Sequence, residues 1–285
     1  MYIACSCLAC DSSRFPTLES AVEKIRELGF NVFDLDVLEG WQHIDPSELT
    51  ESREEWIGRI NDLLGEGEMI VSSLNCSPGI PLTAPRREQF QIYKRRFDAV
   101  LDLADSVLAQ NITLQPGTPA EGQSRREAMK ILHRHLADLA DMARSEPVDI
   151  SIEPHAGSII EKPEDALALV EDLAPGFSIT YDPSHFVMQG IPLQETIPLL
   201  RYVSHVHVRN ASRGKMQQTM EAGTVDFEWL VHHLETARYS GALAIEYFGD
   251  FDPEFKNVRA LRDRLVELGV GANAQWPDIE ELGEL

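Results

Sequence analysis

Four residues of the second half of the chain, Glu153, Asp182, His207 and Glu246, carry the side chains of a hard divalent-metal site. They are separated by 29, 25 and 39 residues. The first two intervals are about one strand–helix unit, and the third exceeds it by a long polar loop. Three carboxylates and one imidazole make a mostly oxygen donor set with room for water or substrate. That set suits Mn²⁺ or Mg²⁺, with Co²⁺, Fe²⁺ or Zn²⁺ as alternatives. A single strand-end glutamate is more often solvated or paired with a helix dipole, so the case rests on the order across four successive units.

His207 belongs to the stretch Ser204-His-Val-His-Val-Arg-Asn210. As a β-strand it sets Val203, His205 and His207 on one face and Ser204, Val206 and Val208 on the other. The apolar face can pack under a helix. Two imidazoles and a following guanidinium on the opposite face are costly to bury without partners.

Elements that could position these residues alternate from end to end. Strand-like runs fall at 2–7, 31–37, 69–74, 112–114, 148–152, 178–181, 203–208 and 242–245. Amphipathic helical runs fall at 17–28, 51–64, 86–109, 124–145, 163–173, 193–200, 226–237 and 253–268. Eight such units in one domain of about 250 residues predict a (β/α)8 TIM barrel in the α/β class. An open doubly wound sheet would show a glycine-rich loop after its first strand, and Leu8-Ala-Cys-Asp-Ser12 has no glycine. No linker divides the chain. The expected organisation is a barrel over 1–268 and an acidic surface tail over 269–285.

At this point the residues resemble a family. Ser151-Ile-Glu-Pro-His155, Tyr181-Asp-Pro-Ser-His185, His205-Val-His-Val-Arg209 and Ala244-Ile-Glu-Tyr247 resemble successive motifs of the xylose isomerase-like TIM barrels. Within that superfamily they are most similar to the sugar phosphate isomerase/epimerase group. The resemblance implies one divalent metal on Glu153, Asp182, His207 and Glu246, with His185 contacting substrate. It also implies proton transfer through a metal-bound ene-diolate of a ketose, with Glu153 and Glu246 removing and returning the proton. Arg209 reads either as a holder of a hydroxyl, carboxylate or phosphate or as a structural salt bridge, while His155 and His205 would orient a carboxylate or the other imidazole, with a core histidine as the alternative for His205. Read from the residues themselves, Trp41 and His43 either wall the sugar pocket or anchor their loop, and Gln217 either closes over the substrate or is solvated. One departure stands out: many relatives carry Lys-Asp where this chain has Arg209-Asn210, which keeps a cation but changes its geometry.

A lyase or dehydratase acting on a cyclic polyol ketone would use the same groups to expel a β-hydroxyl. An endonuclease four-like phosphodiesterase would need histidines at the third and fourth strand ends, which read Leu74-Asn-Cys76 and Leu114-Gln-Pro116. A non-catalytic sugar binder would not need the complete ligand set. The formal net charge of −22 repels nucleic acid and anionic membranes in the absence of a basic patch. The expected partner is therefore a small sugar or polyol. Absence of an export signal and of a membrane-length apolar run points to the cytoplasm, with reduced thiols. Cys5, Cys7 and Cys10 lack the second cysteine pair of a metal site, and Cys5 and Cys7 read as small residues on one face of the first strand. The sequence does not give the oligomeric state, although barrels of this kind commonly pair and a homodimer is one candidate assembly. His133, His135, His232 and His233 fall on predicted helices and read as surface residues.

Overall fold

Each strand-like run is short and bounded by turn formers, and consecutive strands pair side by side. In the computed structural model, which describes residues 1–65 and 67–273, those pairings close on themselves. The strands are β1 (Tyr2–Ser6), β2 (Val32–Leu38), β3 (Ile70–Ser77), β4 (Asn111–Leu114), β5 (Asp149–Ile152), β6 (Ser178–Tyr181), β7 (Val203–Val208) and β8 (Ala242–Ile245). All neighbours are parallel, and β8 returns to β1 with Ala4 opposite Ala244. The result is a single TIM-barrel domain with helices between the strands. Residues 274–285 of the expected acidic tail lie outside the described residues.

Period-two alternation sends one set of side chains outward under the helices. Val206, Val208, Leu243 and Ile245, all fully buried, join the apolar stripes of the helices in one large core. The inward set is unusually polar for a barrel interior, which branched apolar residues ordinarily fill. Asn111 Nδ2 donates to Ser73 Oγ at 2.9 Å and Thr113 Oγ1 at 3.0 Å, and Thr113 and Ser151 both meet the Thr180 hydroxyl. Small residues, Ala4, Val32, Ala242 and Ala244, form a separate apolar cluster. A register shift between Phe33 and Asp34 lets Ser72 Oγ donate to Asp34 Oδ1 at 2.6 Å. A second shift, opposite Ile179 and Thr180, breaks the alternation expected of β7. That alternation puts Ser204 on the apolar face; its hydroxyl instead donates to Asn111 Oδ1 at 2.8 Å and meets Ser178 Oγ at 2.6 Å.

Other differences have local causes. The helix expected over 51–64 is two helices, Pro46–Glu51 and Arg53–Leu64, broken at Ser52. Strand β3 continues to Ser77, where the turn-forming composition predicts a loop from Asn75, because pairing with β2 persists to Leu38. Cys7 leaves the first strand and opens a 3-10 turn, Cys7–Cys10. Leu193–Tyr202 is a 3-10 helix with Pro198 inside, a residue with no N–H to give an α-helical ladder. The short helix Pro183–Gln189 has no counterpart in the periodicity. Asp182 caps it, and Gly190, in the left-handed region at φ 75°, ends it. His135 is buried rather than exposed: Nδ1 lies 2.8 Å from the Leu82 carbonyl and the ring stacks on Phe90.

Candidate active site

Four strands end on the side chains that matter. Glu153, Asp182 and Glu246 each directly follow the last residue of β5, β6 and β8, while His207 is inside β7 and Arg209 just beyond it. Parallel strands of a closed barrel bring these positions to one rim. All five residues are buried.

His207 is the hub. Its Nδ1 lies 2.8 Å from Glu153 Oε1 and 3.6 Å from Glu246 Oε1. Its Nε2 has no hydrogen bond and faces Asp34 Oδ2 at 3.4 Å. Asp34 Oδ2 is also 2.7 Å from His205 Nε2, so one carboxylate backs both imidazoles from below. Burial alone would lower the His207 pKa, but Glu246, Glu153 and Asp34 hold it well above its ordinary value. Burial alone would raise Glu153, but His207 overrides it and holds the carboxyl at about 2. Burial raises Glu246 to about 7 against the opposing pull of His207 and Arg209. Two carboxylates on one imidazole are thus driven apart in proton affinity, the arrangement that separates an acid from a base.

Arg209 occupies the other side. Its Nη1 donates to Glu246 Oε2 at 2.6 Å, its Nη2 to Asp182 Oδ2 at 2.7 Å, and its Nε to Ser184 Oγ at 2.9 Å. The remaining Asp182 oxygen accepts from Ser184 N at 2.8 Å. Both oxygens of Asp182 are therefore engaged. The donor atoms of Glu153, His207 and Glu246 lie within 4.8 Å of one another. This set of two carboxylates and one imidazole nitrogen, backed by Asp34, fits a divalent cation. Asp182 stands beside it, held by the guanidinium.

The remaining expected site residues divide. Trp41, His155 and Arg209 line a cavity of about 320 Å³ together with Glu153, His207 and Glu246. His185 is fully buried behind His155, with ring centroids 3.9 Å apart, and Nε2 is 3.2 Å from Arg209 Nη2. Burial holds its imidazole well below the ordinary pKa. His205 lies deeper, on Asp34. His43 meets the Phe15 carbonyl at 2.6 Å and anchors its loop. Gln217 Oε1 accepts from Phe248 N at 2.8 Å, tying the loop after β7 to the one after β8.

Several residues escape a reading of the sequence alone. Asp34 and Asp36 alternate along an otherwise apolar strand, and that alternation is the available signal. Asn75 Nδ2 donates to Asp36 Oδ1 at 3.0 Å, and burial pushes the Asp36 carboxyl well up. Phe248 and Met216 complete the cavity wall, with no periodic signature. The cavity carries Asn75, Cys76 and Gln115 from the third and fourth strand ends, where a phosphodiesterase of the endonuclease four type would present histidines. The four cysteines are buried and free.

Comparison with known proteins decides the family. A family model described as xylose isomerase-like TIM barrel matches residues 22–268. The chain belongs to that family. No curated protein matches it by sequence. Among solved structures it is similar to a D-tagatose 3-epimerase-like protein, at 19% identity and a TM-score of 0.74, covering 94% of this chain and 98% of that one. It is similar to the 3-keto-D-glucoside 4-epimerase YcjR from E. coli, at 19% identity and a TM-score of 0.70, with the same coverages of 94% and 98%. A third is a xylose isomerase-like TIM barrel protein from Mycobacterium smegmatis in complex with magnesium, at 16% identity and a TM-score of 0.71, covering 94% and 96%. These likenesses establish the fold. Among the described residues no helix is long and apolar enough to cross a membrane.

Proposed function

We propose that this protein is a divalent-metal-dependent isomerase or epimerase of a sugar- or polyol-derived ketose. The observation that carries the reading is the convergence of Glu153 and Glu246 on His207 Nδ1, at 2.8 and 3.6 Å, in the wall of a ligand-sized cavity. Glu153, His207 and Glu246 would hold the cation, Mn²⁺ or Mg²⁺ in the first instance, and Asp182 would join them where the ion displaces Arg209 from its Oδ2. The bound ion would supply polarisation of a carbonyl and its neighbouring hydroxyl.

The protein's own groups move the proton. One carboxylate of the pair takes the proton from the carbon next to the carbonyl. Delivery of a proton by the other carboxylate to the opposite face of that carbon gives the epimer; return of the proton to the former carbonyl carbon, with the neighbouring hydroxyl proton passing to the former carbonyl oxygen, gives the isomer. Arg209 binds Glu246 Oε2, leaving Oε1 on the His207 side. Burial of all these groups strengthens each charge interaction and excludes competing water. Epimerases among the similar structures agree with this chemistry.

The test is a panel of ketoses incubated with the protein and Mn²⁺, with products followed by NMR. Interconversion of at least one ketose, abolished in both Glu153→Gln and Glu246→Gln, is expected. Near-normal turnover in both variants would remove the proposal.

A further inference from the structure

The segment 211–225, between β7 and the helix Phe227–Thr236, is long and polar. Loops of that kind are ordinarily the mobile parts of a barrel. Here one side chain ties it down. Asn210, just beyond β7, is 3% exposed. Its Oδ1 accepts from Ala211 N at 3.0 Å and from Val225 N at 3.1 Å, the two ends of the segment. Its Nδ2 donates to the carbonyls of Thr219 and Met220 at 3.3 and 3.2 Å, in the middle. Its backbone N–H donates to Tyr247 Oη at 2.9 Å, and its carbonyl accepts from Gln218 N at 2.8 Å. Each polar atom of the residue is engaged.

Only an amide fits this position. Aspartate could still accept from Ala211 and Val225, but a carboxylate has no donor, and its second oxygen would face two carbonyl oxygens. Buried acceptors left without donors are costly. Gly223 makes the room: a Cβ there would lie 2.0 Å from Asn210 Oδ1 and 2.4 Å from Nδ2.

What the amide holds is a wall of the inner cavity. Met216 alone of 211–225 lines that cavity, beside Arg209, Glu246 and Phe248. Its backbone is bracketed on both sides. Ser212 and Lys215 exchange N–H···O bonds at 3.0 and 2.8 Å before it, and Gln217 and Gln218, bound to Phe248 N and to the Asn210 carbonyl, follow it. A thioether side chain is itself adaptable, so its place in the wall depends on that backbone.

We propose that Asn210 is a positioning residue: it locks 211–225 so that Met216 stands as a fixed wall, and the substrate enters a preformed cavity rather than one closed by a lid. This rests on the proposed function only for what the cavity binds; the lock itself rests on the hydrogen bonds of Asn210.

The lock is read by NMR of the Mg²⁺-loaded protein labelled with ¹³C at its methionine methyl groups. Met216→Leu assigns the Met216 signal, and Met69, Met129 and Met142, outside the segment, report on the intact barrel. Asn210→Asp should displace the Met216 signal and leave those three unchanged. Gly223→Ala, which forces the amide aside but keeps it neutral, should displace it too. On a ketose that the wild type turns over, Asn210→Asp should raise KM at least about tenfold, equivalent to about 1.4 kcal/mol. Its kcat should stay within about threefold, as when binding is lost equally from ground and transition states. An unmoved Met216 signal in Asn210→Asp, or a displaced signal with KM unchanged, would overturn the proposal. If Asn210→Asp loses the three reporter signals, the Gly223→Ala protein decides by the same two readings. A wild type that turns over no ketose, with Met216 displaced in the variants, would remove the isomerase reading and leave the lock standing.

Discussion

Replacing Arg209 by methionine separates the two roles its guanidinium plays. The side chain is 1% exposed and bridges Asp182 and Glu246 at 2.7 and 2.6 Å. Methionine keeps much of the volume and removes the charge. In the metal-free protein two buried carboxylates then lose their cation, and breaking a buried pair in this way costs about 3–5 kcal/mol. At about 2–3 °C per kcal/mol for a large domain, the melting temperature should fall by about 6–15 °C. Mn²⁺ should reverse most of that loss, because the freed oxygens of Asp182 and Glu246 become available to the ion. The metal-induced rise in melting temperature should therefore be larger in the variant than in the wild type. Arg209→Lys keeps the charge but not the forked geometry, and should fall between the two. Differential scanning fluorimetry with and without Mn²⁺ reads all three proteins. An unchanged metal-free melting temperature in Arg209→Met, or an equal metal-induced rise in variant and wild type, would refute the reasoning.

Further outcomes follow from the same geometry. The raised His207 pKa means its proton must leave when Nδ1 takes a metal. Mn²⁺ affinity should rise with pH, and calorimetry in buffers of different ionisation enthalpy should show release of about one proton or more per ion near pH 7. In the metal-free protein the His207 contribution to stability is fully present below its unfolded pKa and is lost as pH rises through the higher folded value. The depressed Glu153 pKa acts oppositely: its contribution is present above the unfolded value and is lost as pH falls toward about 2. Melting temperature against pH should accordingly fall on both flanks, and a flat profile in the metal-free state would contradict these assignments. Asp34→Asn should cost about 3 kcal/mol or more in chemical denaturation, since it strips the buried partner of His205 and His207.

The barrel is legible in the sequence because its periodicities are strong. Strands β6 and β8 and the helix Pro163–Leu173 have the bounds that the sequence pattern predicts. Register is not legible. The shift that sends the Ser204 hydroxyl to Asn111 depends on pairing with β6, which no local pattern encodes. The rim positions of Glu153, Asp182, His207 and Glu246 follow from strand ends, but the hold of Arg209 on Asp182 does not. That contact is set by side-chain reach across the rim, between residues 27 positions apart. The roles of His155 and His185 cannot be told apart from their motifs either; only packing shows which ring faces the cavity.

The most direct test of the account is a crystal soaked in Mn²⁺ and measured for anomalous scattering above the manganese edge. The account predicts one strong peak in contact with Glu153, His207 Nδ1 and Glu246. A featureless map there at saturating Mn²⁺, with the three side chains ordered, would contradict it.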